Sequence, residues 1–171
     1  FLFIKQMADK GELGRIQFVQ ASHQQDMDGW PNYWPGLPPM HYATHCVSPC
    51  LGIVSGEAEF VSCLGSGRIA DKLIAKYGSP FAFETAQFKV RNQDVAGEVT
   101  RYLFDSARQY IESFDCYGSN TSFEWQLTEH DDPVLHLGGE KVAKVKIPDY
   151  AHLLPEGIRE FTTKCVYDMA E

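Results

Sequence analysis

The chain has 171 residues, 44% hydrophobic and 22% charged, with a formal net charge of −8. That size and balance suit one globular domain, which buries roughly 70% of its unfolded surface and needs neither metal nor disulfides to fold. An acidic chain without a Lys/Arg cluster excludes phosphate-driven nucleic-acid binding, and no apolar run approaches the ~20 residues of a membrane span, so neither nucleic acid nor membrane is expected as a partner.

Residues Phe1 to Lys10 read as the end of a helix, with Leu2, Phe3, Met7 and Ala8 near helical spacing and Gly11 as the stop. The apolar start is too short for a signal peptide and there is no initiator Met, so the chain is expected to be an internal piece of a longer one. Leu13 to Ala21 alternates as a strand. Ser22 to Pro38 reads as a long loop carrying His23, Asp26, Asp28, Trp30, Tyr33 and Trp34, and a loop of that length is usually functional. Its aromatic faces and carboxylates have the composition of carbohydrate recognition.

Pro39 is pre-organised to start a helix, which is predicted to run to Gly56 with a kink at Pro49. The four-residue spacing then places His41 and His45 on one helix face. Histidine titrates nearest neutrality and is the default proton carrier. A His-x-x-x-His pair can also hold zinc, but neither a Glu after the first His nor a third ligand is visible nearby, so no metal is expected.

Glu57 to Leu64 is a predicted strand, followed by a Gly65-Ser66-Gly67 turn and a short helical patch before Pro80. Phe81 to Arg91, Glu98 to Ser106, Tyr110 to Cys116 and Thr121 to Leu127 all alternate. Turns are predicted at Asn92-Gln93-Asp94 and Gly118-Ser119-Asn120. Val134 to Leu137 and Lys141 to Ile147 are further strands, and a helix is predicted to begin near Pro155. The pattern is α+β: a mostly antiparallel open sheet of about six or more strands with helices on one face, in a single domain over residues 1–171. No strand-to-helix G-x-G-x-x-G occurs, so no cofactor-binding residues are expected in this chain. The five scattered cysteines form no C-x-x-C pair and read as reduced, mostly buried thiols of a cytoplasmic protein.

Gly11-Glu12-Leu13-Gly14-Arg15-Ile16 resembles the G-x-[LI]-G-x-[IV] element that opens the C-terminal domain of the glucose–fructose oxidoreductase/inositol dehydrogenase/rhizopine-catabolism (Gfo/Idh/MocA) family. His41-Tyr42-Ala43-Thr44-His45 matches the family's helix, whose His is the proton carrier. Glu57 to Cys63 and Val99-Thr100-Arg101 through Gly118 resemble its sheet strands, and Ile147 to Pro155 looks like the tail of one branch. The family's usual Asp is replaced by His41 and its usual Gly by Ala43. The Tyr-x-Thr-His version is similar to a branch that includes NAD-dependent glycosidases.

The resemblance implies the C-terminal domain of an NAD(P)-dependent oxidoreductase acting on a sugar, polyol or related hydroxy compound, with the N-terminal Rossmann domain absent. NAD or NADP would then bind the full-length parent, and none is expected on this fragment. It makes His45 and Tyr42 the catalytic candidates and His41, His23, Asp26, Trp30 and Trp34 the substrate-binding ones. It also implies a homo-oligomer formed through the open sheet face. An NAD-dependent glycoside hydrolase and a non-catalytic dimerisation module remain as alternatives, and Arg101 and Arg108 stay unassigned.

Overall fold

A computed structural model describes residues 1–31 and 34–153. Tyr33, Cys165 and the helix predicted near Pro155 lie outside the described residues. The elements in chain order are α1 (Leu2–Asp9), β1 (Ile16–Gln24), a 3-10 turn (Pro39–Tyr42), α2 (Thr44–Val54), β2 (Ala58–Arg68), α3 (Asp71–Tyr77), β3 (Phe81–Val90), β4 (Ala96–Tyr102), β5 (Ile111–Gly118), β6 (Ser122–Glu124), β7 (Val134–His136), β8 (Val142–Lys144) and a 3-10 turn (Ala151–Leu153). The strands form one sheet in the order β2-β3-β4-β1-β5-β6-β7-β8. The β1–β4 pair is parallel and every other pair antiparallel, so the α+β reading holds.

Period-two alternation sorts the strands into two faces. Val19 and Ala21 of β1, Val99 of β4, Ala86 and Phe88 of β3 and Phe114 and Cys116 of β5 turn inward. They meet Cys46, Cys50, Ile53 and Val54 of α2, with Ile4 and Met7 of α1 behind them. The buried thiols Cys46, Cys50 and Cys116 belong to this core, and Cys63 is exposed on β2. A second cluster, Met27, Ile69, Ala82, Leu103 and Phe104, lies at one end of the sheet, with Trp34, Leu37 and, from α3, Leu73 and Ile74 packed against it. No helix among the described residues is long and apolar enough to cross a membrane.

The Asn92 and Gly118 turns join antiparallel strands as read from the sequence. Three local readings are corrected. Gly65-Ser66-Gly67 is not a turn: Gly65 and Ser66 pair with Glu84 and Phe83 inside β2. The Phe81 ring lies over Gly65, 2.2 Å from where a Cβ would stand, so this glycine makes room for an aromatic neighbour and not for a bend. β1 runs three residues past Ala21, because Ser22, His23 and Gln24 stay paired with both β4 and β5. The helix predicted from Pro39 to Gly56 is two pieces, with Ala43 between them at φ −109° and ψ 6°.

Candidate active site

The site sits at one end of the helix-covered sheet face, and strand register builds it. His23 of β1 pairs with Glu112 of β5 on one side and with Arg101 of β4 on the other, and Arg101 pairs with Glu84 of β3. Four neighbouring strands therefore place Glu112, His23, Arg101 and Glu84 in one row across the sheet. The next row on the same face, Phe114, Ala21, Val99 and Ala86, is apolar core. The polar row separates this core from the second cluster, whose Ala82 and Leu103 lie two residues from Glu84 and Arg101.

Arg101 is fully buried and organises the row. Its Nε donates to the Tyr42 carbonyl at 2.8 Å, and its Nη1 donates to the carbonyls of His23 (3.0 Å) and Tyr102. Its guanidinium carbon stands 5.2 Å from the centre of the Tyr42 ring. Burial lowers the Arg101 pKa to about 10, which leaves it charged at neutral pH. Glu84 accepts from the Met40 amide at 2.7 Å, so the 3-10 turn is held at both ends by side chains of the row. The turn and the capless start of α2 thereby project Tyr42 and His45 over the sheet. Pro49 has no amide to offer the His45 carbonyl four residues earlier in α2.

Five rings meet here. His23 lies 4.8 Å from His45, 5.8 Å from Tyr42 and 5.7 Å from Tyr110, measured between centroids, and Trp34 lies 4.7 Å from Tyr42. His45 Nε2 is 3.2 Å from the Tyr42 hydroxyl, and His45 Nδ1 is 3.0 Å from Glu112 Oε1. The same Glu112 oxygen accepts from the Tyr110 hydroxyl and lies 3.6 Å from His23 Nε2. With ionised Glu112 accepting, the His45 proton resides on Nδ1, and Nε2 is left to accept from Tyr42. His23 is 1% exposed, and no hydrogen bond of normal geometry reaches either of its ring nitrogens. Burial, and then the charge of Arg101, lower its pKa to about 4, so the imidazole is neutral. Tyr110 is pushed up to about 12 by desolvation and by the Glu112 carboxylate that accepts its proton.

His45 and Glu112, each about one-third exposed, border a cleft of about 310 Å³ whose other walls include Ser48, Phe114 and Trp125. A second cleft of about 370 Å³ lies beyond Glu112 and Trp125, lined by Tyr110, Gln126 and Arg108.

Of the residues singled out in the sequence, His45, Tyr42, His23 and Trp34 come together. His23 does so as a buried strand residue and not as part of a loop. His41 does not share a face with His45, because the 3-10 turn ends between them, and it is exposed. Asp26 and Trp30 are exposed, and Asp26 caps the Asp28 amide. None of these three takes part in the hydrogen bonds, ion pairs or ring contacts of the corner among the described residues. Glu112, Tyr110 and Glu84 were not singled out from the sequence, and Arg101 was left without a role. For Glu112, Glu84 and Arg101 the only local signal is a polar side chain on the inward phase of an alternating strand, and Tyr110 lies just before β5. The His41–His45 pair considered for a metal does not form, but His23, His45 and Glu112 bring three ligand atoms within 4.8 Å of one another.

No protein-family model matches the chain, and no curated protein does. Solved structures do. An inositol dehydrogenase homolog from Azotobacter vinelandii complexed with NAD+ aligns over 84% of this chain and 39% of its own, with a TM-score of 0.64 and 15% identity. Levoglucosan dehydrogenase complexed with NADH aligns over 96% of this chain and 50% of its own, with a TM-score of 0.69 and 17% identity. Its complex with NADH and L-sorbose gives a TM-score of 0.69 at 16% identity over the same shares. The chain spans half or less of the length of these solved chains, and what it shares with these sugar dehydrogenases, the structural neighbours expected from its Gfo/Idh/MocA-like motifs, is their fold.

Proposed function

We propose that this chain is the substrate-binding and oligomerisation domain of an NAD(P)-dependent oxidoreductase acting on a sugar, polyol or related hydroxy compound, with His45 as its proton carrier. The observation that carries the reading is the Glu112–His45–Tyr42 line at the edge of an open cleft. NAD or NADP, held by another part of the parent protein, would supply the hydride acceptor. The chain's own residues would handle the proton. A substrate hydroxyl in the cleft gives its proton to His45 Nε2, either directly after displacing the Tyr42 phenol or through that phenol. Glu112, accepting from Nδ1, fixes the ring and stabilises the imidazolium that forms. Trp34 and Trp125 border the region with aromatic faces suited to sugar C–H groups.

The test is cofactor reduction by the intact parent protein across a panel of monosaccharides and polyols. Formation of NAD(P)H that falls at least a hundredfold in His45→Ala supports the reading. Turnover unchanged in that variant overturns it. The second reading, an NAD-dependent glycoside hydrolase, is favoured by the Tyr42 phenol on His45, a proton donor within reach of a leaving group. It predicts release of the aglycone from a chromogenic glycoside without net cofactor reduction. The open sheet face is the subunit contact in this proposal. There Phe18 pairs with Tyr117 and Phe83 with Tyr102, which gives half-buried aromatic surface to cover. The free thiols support a cytoplasmic location.

A further inference from the structure

We infer that His23, His45 and Glu112 form a binding site for a first-row divalent transition-metal ion such as Zn2+ or Co2+, and that this ion switches off proton transfer at His45. The donors are His23 Nε2, His45 Nδ1 and Glu112 Oε1. The carboxylate oxygen is 3.0 Å from the second and 3.6 Å from the first, and the ligand atoms of the three residues lie within 4.8 Å of one another. Ions of this class bind imidazole nitrogen and carboxylate oxygen at about 2.0–2.2 Å, which sets donors about 3.0–3.5 Å apart. Two separations already fall at or near that range, and a modest rotation of the His45 ring closes the third.

Two further features point the same way. His23 is buried with no hydrogen bond of normal geometry to its ring nitrogens, and its Nε2 is 3.6 Å from the Glu112 carboxylate. His45 and Glu112 also line the 310 Å³ cleft, so a water or a substrate oxygen can complete the coordination. Two imidazoles with one carboxylate favour Zn2+, Co2+ or Ni2+ over Mg2+ or Ca2+. The buried Arg101 guanidinium opposes a dication, and the Glu112 carboxylate offsets it.

The consequence for His45 follows from its tautomer. Coordination through Nδ1 moves the ring proton to Nε2, which then donates to the Tyr42 oxygen 3.2 Å away and can no longer accept a proton. Glu112 is engaged at the same time. Binding of the ion stands apart from the proposed function, and only its effect on turnover rests on that reading.

The experiment is a Co2+ titration of this chain, followed by visible d–d absorption, with Zn2+ competing. A Cys63→Ser background removes the exposed thiol of β2. The expected result is one equivalent of Co2+ with bands of nitrogen and oxygen ligation, displaced by Zn2+ and weakened at least tenfold in both His23→Asn and Glu112→Gln. Absence of a bound equivalent overturns the inference, and so does thiolate-to-cobalt charge transfer or binding untouched by His23→Asn. Should those variants fail to fold, nitrogen-15 spectra of the parent sequence decide. Zn2+ must then shift His45 Nδ1 and His23 Nε2, and unmoved resonances overturn the inference. Zn2+ that binds this site yet leaves the turnover of the intact enzyme unchanged overturns only the claim that the ion silences His45.

Discussion

The carboxylate of Glu112, at the start of β5, lies 3.0 Å from Nδ1 of His45, in the first turn of α2. An acid from the sheet thus orients the helix histidine, while His41, four residues before it, points away from this work. The first prediction concerns the tautomer. In the parent sequence, nitrogen-15 chemical shifts should show the His45 proton on Nδ1. In Glu112→Gln the amide can accept or donate, so the preference should collapse toward a mixture of tautomers. In the intact enzyme the same variant should lower kcat by roughly ten- to a hundredfold with little change in KM, the pattern of a lost positioning contact. An unchanged tautomer would remove Glu112 from the relay.

Arg101 carries the second prediction. Its guanidinium satisfies the carbonyls of Tyr42, His23 and Tyr102 in a place that water does not reach. Arg101→Met fills similar volume but takes the guanidinium donor from the buried Tyr42 and His23 carbonyls, while the Tyr102 carbonyl keeps the Gln25 amide at 3.3 Å. Each such loss costs about 1–3 kcal/mol, so about 2 kcal/mol or more is expected in total. For a chain of this size that corresponds to a fall in Tm of roughly 4–8 °C, measurable by circular dichroism. Arg101→Lys should fall between the two, because an ammonium cannot span the same carbonyls with a planar fork. A variant as stable as the parent would show that the row is not held by this residue.

Much of the fold was legible because sheet faces have a period of two. Val19/Ala21, Ala86/Phe88 and Phe114/Cys116 announce their inward phase locally, and the Asn92 and Gly118 turns announce antiparallel neighbours. The site was legible only in part. His45 and Tyr42 sit in a contiguous motif, but Glu112, His23, Arg101 and Glu84 are joined only by register between strands far apart in the chain. Nothing near Glu112 in sequence says that it will face a helix. The shared face expected for His41 and His45 failed for a local reason. Pro38 and Pro39 favour a 3-10 turn anchored by Glu84 and Arg101, and Ala43 leaves helical geometry before α2 starts.

A third prediction tests the core beside the row. Phe88 pairs with Gly97, and a Cβ on Gly97 would stand 2.2 Å from the Phe88 ring. Phe88 is buried, so the ring cannot swing aside without cost. Gly97→Val should cost about 1–3 kcal/mol through overpacking. In Phe88→Ala the same valine has room, so the double variant should be more stable than the sum of the single effects implies. A coupling energy near zero in urea unfolding would place the two residues out of contact.

The last prediction concerns assembly. On the face away from α2, Gln20, Ser22 and Gln24 of β1 lie beside Glu98, Thr100 and Tyr102 of β4 and Ser113 and Asp115 of β5. Together they border a shallow hollow of about 400 Å³. The side chains there are polar or aromatic, and they tie to one another: Gln20 donates to Asp115 at 2.7 Å and Thr100 to Thr85 at 3.3 Å. A flat face built this way can meet a second copy of itself across a two-fold axis, where each Ser22 approaches its own mate. Ser22→Arg would then place two guanidinium groups against each other at the centre of the contact. Sedimentation equilibrium should show the parent chain as a dimer or larger and the variant as a monomer with unchanged circular dichroism. A monomeric parent, or a variant that still associates, would move the subunit contact to another surface. The exposed β2 edge, with Phe60, Val61 and Leu64 in open solvent, would be the next surface to test.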